Sequence, residues 1–157
     1  MNLWRIATET RLYAAVDLSG AGAAAHPGRW NDKTEPIVYC AESLALAVLE
    51  TAAYVDSAGL PLNRFVIQIE VPDDVWAKRE DQPVSALPAT WDAIPAGRAS
   101  VSLGSLWLGS LRSPILRVPS ANVPEDMTTL INPKHPDASK IKAKAIRRFE
   151  YNRLFRS

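Results

Sequence analysis

From Phe65 to Val71 the side chains alternate, with Phe65, Ile67, Ile69 and Val71 on one side and Val66, Gln68 and Glu70 on the other. A period of two makes this segment a β-strand. Gly59, Pro61 and Asn63 break the chain before it and Pro72-Asp73-Asp74 ends it. Shorter strands are expected at Leu3–Ala7, Ile37–Ala41, Ile115–Val118 and Thr129–Ile131, where β-branched and apolar residues dominate, and a last strand at about Lys140–Phe149. Only two helices are clear: one from Leu44 to about Asp56, and one from Ala99 to Ser110, which Gly104 and Gly109 weaken. The helices do not interleave with the strands as a parallel sheet requires. The pattern therefore predicts an α+β fold of mixed or antiparallel sheets with a few helices. A chain of 157 residues is the size of one domain, 1–157, with one core and about two-thirds of its extended surface buried.

Composition narrows the function classes. Hydrophobic residues make up 47% and charged residues 22%, which belongs to a globular chain rather than a disordered one. No apolar run is long enough to span a membrane, and Met1-Asn2-Leu3-Trp4-Arg5 lacks the basic start and apolar block of a signal peptide, so a cytoplasmic location is expected. Cys40 is the single cysteine; it cannot form an intramolecular disulfide and reads as a small core side chain. His26 and His135 sit beside prolines with no cysteine or carboxylate cluster at ligand spacing, so no metal site is expected. No Gly-x-Ser-x-Gly elbow is present. The Asp17–Ala25 run of small residues lacks the Gly-Lys-Ser/Thr ending of a phosphate-binding loop.

Net charge is +1, unevenly spread: residues 137–157 hold seven Lys or Arg and two Asp or Glu, leaving −4 on the rest. Lys140, Lys142 and Lys144 alternate with Ile141, Ala143 and Ala145, so a half-exposed strand accounts for the excess, and an acidic partner is the other reading.

The chemistry concentrates between Pro27 and Tyr54. Gly28-Arg29-Trp30-Asn31 reads as a loop, Pro36 leads into the Ile37–Ala41 strand, and Ser43 is placed to cap the helix that follows. That helix is apolar on both faces apart from Glu50, which predicts burial. A lone buried carboxylate is costly, so Glu50 needs partners or a cleft. Arg29 is a candidate partner. A structural ion pair, or a carboxylate reaching solvent from the helix end, is the alternative to a functional group.

Four segments in series, GRWN, PIVYCAESLALAVLE, ILRVPSANVP and LINPKHPDASKI, resemble the RES domain, a family named for its arginine, glutamate and serine. The likeness runs from Trp4-Arg5-Ile6 to about Phe155. It implies a fold similar to ADP-ribosyltransferases of the diphtheria-toxin kind, two packed sheets with NAD held between them. It also implies the toxin of a bacterial type II toxin–antitoxin pair, with an Xre-type helix-turn-helix antitoxin as partner and DNA contacted only through that antitoxin. Matched to the family pattern, Glu50, Arg29 and Tyr39 are the catalytic candidates, and Arg5, Arg29, Tyr39, Ser120 and Asn132 the candidates for holding NAD. The family's final motif is Asp-x-Arg-Leu, whereas this chain has Tyr151-Asn152-Arg153-Leu154.

Residue types fit the implied reaction. Cleaving the nicotinamide–ribose bond of NAD develops positive charge on the ribose, so a fixed carboxylate, an aromatic wall and a guanidinium for the pyrophosphate are what the site needs. The leading reading is hydrolysis or phosphorolysis of NAD. The alternative is transfer of ADP-ribose to a protein, and a third is a nucleotide-binding module without chemistry. Each residue also has a plainer reading: Tyr39 as a core aromatic, Ser120 as a turn cap, Asn132 as a turn residue before Pro133, and Trp30 as packing.

Overall fold

The computed structural model describes residues 1–55 and 59–155. Seven strands, β1 (Asn2–Thr8), β2 (Val38–Ala41), β3 (Arg64–Glu70), β4 (Glu80–Asp81), β5 (Ile115–Pro119), β6 (Met127–Ile131) and β7 (Lys142–Phe149), are joined by α1 (Ala21–Ala25), α2 (Leu44–Ala52), α3 (Asp73–Trp76) and α4 (Arg98–Ser110). They form one sheet in the order β4-β5-β6-β2-β1-β3-β7. All neighbours are antiparallel except the β4–β5 pair. The α+β class with a mixed sheet is thus observed. Instead of two separate packed sheets, two halves share one hydrogen-bonded sheet, joined at the single β1–β2 register pair Trp4↔Ala41.

Strand parity assigns the faces. Leu3, Ala7, Val38, Cys40, Ile67, Ile69, Ile115 and Ile131, drawn from both halves, form one buried cluster. On the other face Ile6 and Val66 pack with Phe149, Tyr151 and the α2 residues Leu44 and Val48, next to Trp4. Further along, Leu116, Val118 and Leu130 pack with Trp30, Trp91 and Trp107, and Tyr39 lies against them. The Ser43 side chain accepts the Leu46 N–H at 3.1 Å and starts α2, a cap worth about 1 kcal/mol.

Four expectations change. Helix α2 is not buried all round: Leu46 and Ala47 are buried, but Ala45 is exposed and Leu49 is 41% exposed. Its apolar outer face looks outward because only one side rests on the sheet. The helix ends at Ala52, and Asp56, its expected end, lies outside the described residues. The last strand begins at Lys142; Lys140 closes the 3₁₀ turn Pro136–Lys140, where its ammonium bridges Asp74 and Asp137, each at 3.2 Å. In β7 the alternation also breaks, because the register with β3 shifts between Val66, opposite Arg147, and Ile67, opposite Ala145. The extra residue of a β-bulge flips the faces.

Gly104, which weakens α4 as a sequence, is what lets it pack. A Cβ there would lie 1.7 Å from the Trp30 carbonyl oxygen. The helix therefore sits directly on the Gly28–Asn31 loop.

Candidate active site

Glu50 lies in the last turn of α2, where the negative end of the helix dipole disfavours a carboxylate. Neutral donors offset this. The Ser120 hydroxyl donates to Oε1, the Asn122 amide donates to Oε2 at 3.1 Å, and the Thr128 hydroxyl reaches Oε1 at 3.5 Å. Ser120 is buried just beyond β5, and its oxygen also accepts the backbone N–H groups of Asn122 (3.1 Å) and Val123 (3.2 Å). It is therefore a turn cap and a carboxylate partner at once. Arg29 is not among the partners of Glu50.

Arg29 instead donates through Nη1 to the carbonyls of Trp91 (3.0 Å) and Ala93 (2.7 Å). Tyr39 fixes the loop that carries it: the phenol accepts the Trp30 N–H at 3.0 Å and donates to Asn31 Oδ1 at 2.7 Å. Burial drives the phenol pKa up, so it stays protonated. Gly28 makes room for this arrangement, since a Cβ there would meet the Tyr39 ring at 2.8 Å. Trp30 is buried and stacks on Trp91, centroids 6.3 Å apart. Asn31, also buried, ties the loop down through its amide to the carbonyls of Ala23, Asp32 and Glu35.

Arg5 and Asn132 stand apart from Glu50. Asn132 is buried, donating to the Leu108 carbonyl at 2.9 Å and accepting the Lys134 N–H at 3.1 Å, so it pins the end of α4 to the end of β6. Arg5 is on the opposite face of β1 from Trp4 and α2, beside Cys40. Its Nη1 donates to the Asp17 carbonyl at 3.4 Å, and burial lowers its pKa while Cys40 and Asp17 oppose that. It opens onto a cleft of about 380 Å³ where the two half-sheets part, bounded by Thr8, Tyr13, Asp17, Gly20, His26 and Ile37 among others. Cys40 is buried, donates to the Thr129 carbonyl at 3.2 Å, and has its thiol pushed up to about 12 by burial.

The sequence did not single out Asn122 or Thr128, and it gave the Asp17–Ala25 run no part in a site. Asn122 and Thr128 complete the Glu50 cradle, and the small-residue run before Pro27 lines the Arg5 cleft. The signal for Asn122 was its place two residues after Ser120, in a turn bounded by Pro119 and Pro124. The small-residue run carries no side-chain signal, because it shapes the cleft by letting backbone come close. Among the described residues no group of three or more His, Cys, Asp or Glu could hold a metal ion, and no helix is long and apolar enough to cross a membrane.

The RES domain model matches residues 2–152. The chain belongs to the RES domain family. It is 54% identical over 151 residues to the Prs ADP-ribosylating toxin of Sphingobium sp. (strain YBL2), covering 96% of this chain and 94% of that one. It is 35% identical over 144 residues to a Toxin Res of Pseudomonas putida, covering 90% and 91% respectively. Toxin Res of Yersinia enterocolitica is 35% identical over 135 residues, with 86% of each chain covered. Among solved structures, the Mycobacterium tuberculosis MbcT–MbcA toxin–antitoxin complex contains a chain of the same fold, with a TM-score of 0.66 at 16% identity, over 93% of this chain and 84% of that one. The RES family assignment rests on the sequence, and the solved structure shows the fold alone.

Proposed function

We propose that this RES domain chain is the toxin of a toxin–antitoxin pair, that it acts on NAD, and that it transfers ADP-ribose to a protein acceptor. The observation that carries the choice is the 54% identity, over nearly the full length, to a toxin whose name gives ADP-ribosylation of Prs. Transfer to a protein therefore ranks ahead of hydrolysis or phosphorolysis, and a Prs protein is the first acceptor to try. The NAD-binding module without chemistry ranks last.

The geometry supports the following roles. The bond from ribose C1′ to the nicotinamide nitrogen breaks, and its electron pair neutralises the nicotinamide ring, which leaves uncharged. Positive charge then sits on the ribose, and the Glu50 carboxylate, its oxygens held by Ser120 and Asn122, stabilises it. An acceptor oxygen or nitrogen forms the new bond at C1′ and gives up a proton to solvent. Arg5 lines a cleft on the opposite face of β1 from α2, so it has no part in holding the NAD whose ribose Glu50 faces. Arg29 anchors the Trp91–Ala93 segment through Nη1 and offers its remaining N–H groups to substrate. Tyr39 acts through that loop, because its hydroxyl is committed to Trp30 and Asn31. Asn132 is a structural residue at the far end of β6.

The partner is a cognate antitoxin, of the Xre helix-turn-helix type by family resemblance, that silences the toxin by covering the Glu50 site. NAD is the substrate and no metal takes part in the scheme. The test is NAD labelled on its adenylate half, incubated with the purified chain and Prs protein from the same cell. Label on Prs, absent with Glu50→Ala, supports transfer. Label released only as free ADP-ribose overturns transfer in favour of hydrolysis, and intact NAD overturns the NAD reading altogether.

A further inference from the structure

We infer that Asn122 is a positioning residue for the reaction, setting the plane of the Glu50 carboxylate; the inference rests on the NAD-cleaving role proposed for Glu50. A glutamate has three side-chain torsions and no rigidity of its own. One donor on one oxygen leaves the carboxylate free to turn about its last bond. Ser120 supplies that donor on Oε1, and the Asn122 amide at 3.1 Å from Oε2 supplies the second. Two donors on two oxygens fix the plane.

The turn that presents these donors is built for it. Ser120 Oγ takes the N–H groups of Asn122 and Val123, which fill its acceptor positions and leave its proton for Glu50. The same bond from the Asn122 N–H sets where the Asn122 side chain begins. The Ser120 N–H donates to the Asp126 carbonyl and the Asp126 N–H to the Val123 carbonyl, each at 2.9 Å, closing the turn. The amide of Asn122 must face the carboxylate with its NH₂, since its oxygen there would repel Oε2.

No cation stands in this arrangement: among the described residues Glu50 makes no ion pair, and its hydrogen-bond donors are a serine, an asparagine and a threonine, all neutral. Neutral donors orient the carboxylate without cancelling its charge. That suits a group whose task is to face a developing cation, because a guanidinium in the same place would compete with it. Asn122 is itself exposed, so its side chain supports the carboxylate rather than the core.

The experiment measures nicotinamide release from NAD by the full chain, with Prs protein from the same cell present as acceptor, for wild type, Asn122→Ala, Asn122→Asp and Asn122→Gln, with the unfolding temperature of each. Asn122→Ala is expected to lower kcat roughly tenfold, the loss of one hydrogen bond to a charged group, with KM for NAD nearly unchanged. Asn122→Asp keeps the size and turn preference but replaces the donor with a like charge, and is expected to fall below Asn122→Ala. Asn122→Gln keeps the NH₂ and is expected to lie above both. Unfolding temperatures within about 2 °C of wild type complete the expected result. A fully active Asn122→Asp, or activity that tracks only the folded fraction, overturns the inference while leaving the proposed function standing. Intact NAD with the wild type overturns both.

Discussion

Replacing Gly104 by alanine tests the packing that holds the Arg29 loop. The added Cβ would lie 1.7 Å from the Trp30 carbonyl oxygen, 2.6 Å from its carbonyl carbon and 3.0 Å from its Cα. All three are backbone atoms, so no side-chain rotation relieves the clash, and loop and helix must separate by about 1.5 Å to reach ordinary contact. The loop resists through the Trp30–Trp91 stack, the Tyr39 bond to the Trp30 N–H, and the three bonds of the Asn31 amide. Overpacking of this kind costs about 1–3 kcal/mol, and a hydrogen bond lost with it about 1 kcal/mol more. Against that, alanine is the better helix former by about 1 kcal/mol. The net is about 1–3 kcal/mol, or roughly 2–12 °C in unfolding temperature for a chain of this size. Gly109 is the internal control: it lies in the same helix with no atom within 4 Å of an added Cβ, so Gly109→Ala is expected to stabilise by about 0.5–1 kcal/mol. Thermal unfolding by circular dichroism reads both. An unfolding temperature for Gly104→Ala at or above that of Gly109→Ala refutes the reasoning.

Tyr39→Phe strips one hydroxyl and leaves the Trp30 N–H and Asn31 Oδ1 without it; a loss of about 1–3 kcal/mol is expected by urea unfolding, together with slower NAD turnover per folded molecule. Cys40 is expected to resist a thiol reagent in the native state and to react only as the chain opens, which a timed labelling experiment reads. Its thiol rises on folding from the ordinary 9.0 to about 12. The unfolded chain therefore holds fewer protons above about pH 9, and the stability tied to this group is fully present below that pH and is lost as pH rises toward 12. Cys40→Ser, with no such group, is expected to show a shallower alkaline decline, by up to about 1.4 kcal/mol per pH unit.

Where local pattern carries the information, the sequence was readable. The alternation from Phe65 to Val71 became β3, the short apolar runs became β1, β2, β5 and β6, and Ser43 capped α2 as its spacing implied. What the pattern could not supply were partners distant in the chain. Glu50 needed partners, which its apolar helix announced, but the groups that met it lie 70 and 72 residues on, brought near by the order of strands rather than by sequence proximity. Arg29 was near in sequence and went elsewhere, because the Trp91–Ala93 carbonyls fold over its loop. Gly104 argued against a helix by propensity, yet the helix formed, since close packing on Trp30 outweighed about 1 kcal/mol of intrinsic preference. Strand β4, two residues long, left no periodicity to read. The family resemblance named Ser120 and Glu50 separately; only the fold joined them.

The most direct test of the central claim is nicotinamide release from NAD, with Prs protein present as acceptor, by wild type and Glu50→Gln. Glutamine has the size of glutamate but no charge, so this variant isolates the electrostatic contribution. The account predicts a fall in kcat of about 100-fold or more, with the fold retained by circular dichroism. A Glu50→Gln variant that releases nicotinamide at the wild-type rate would contradict it.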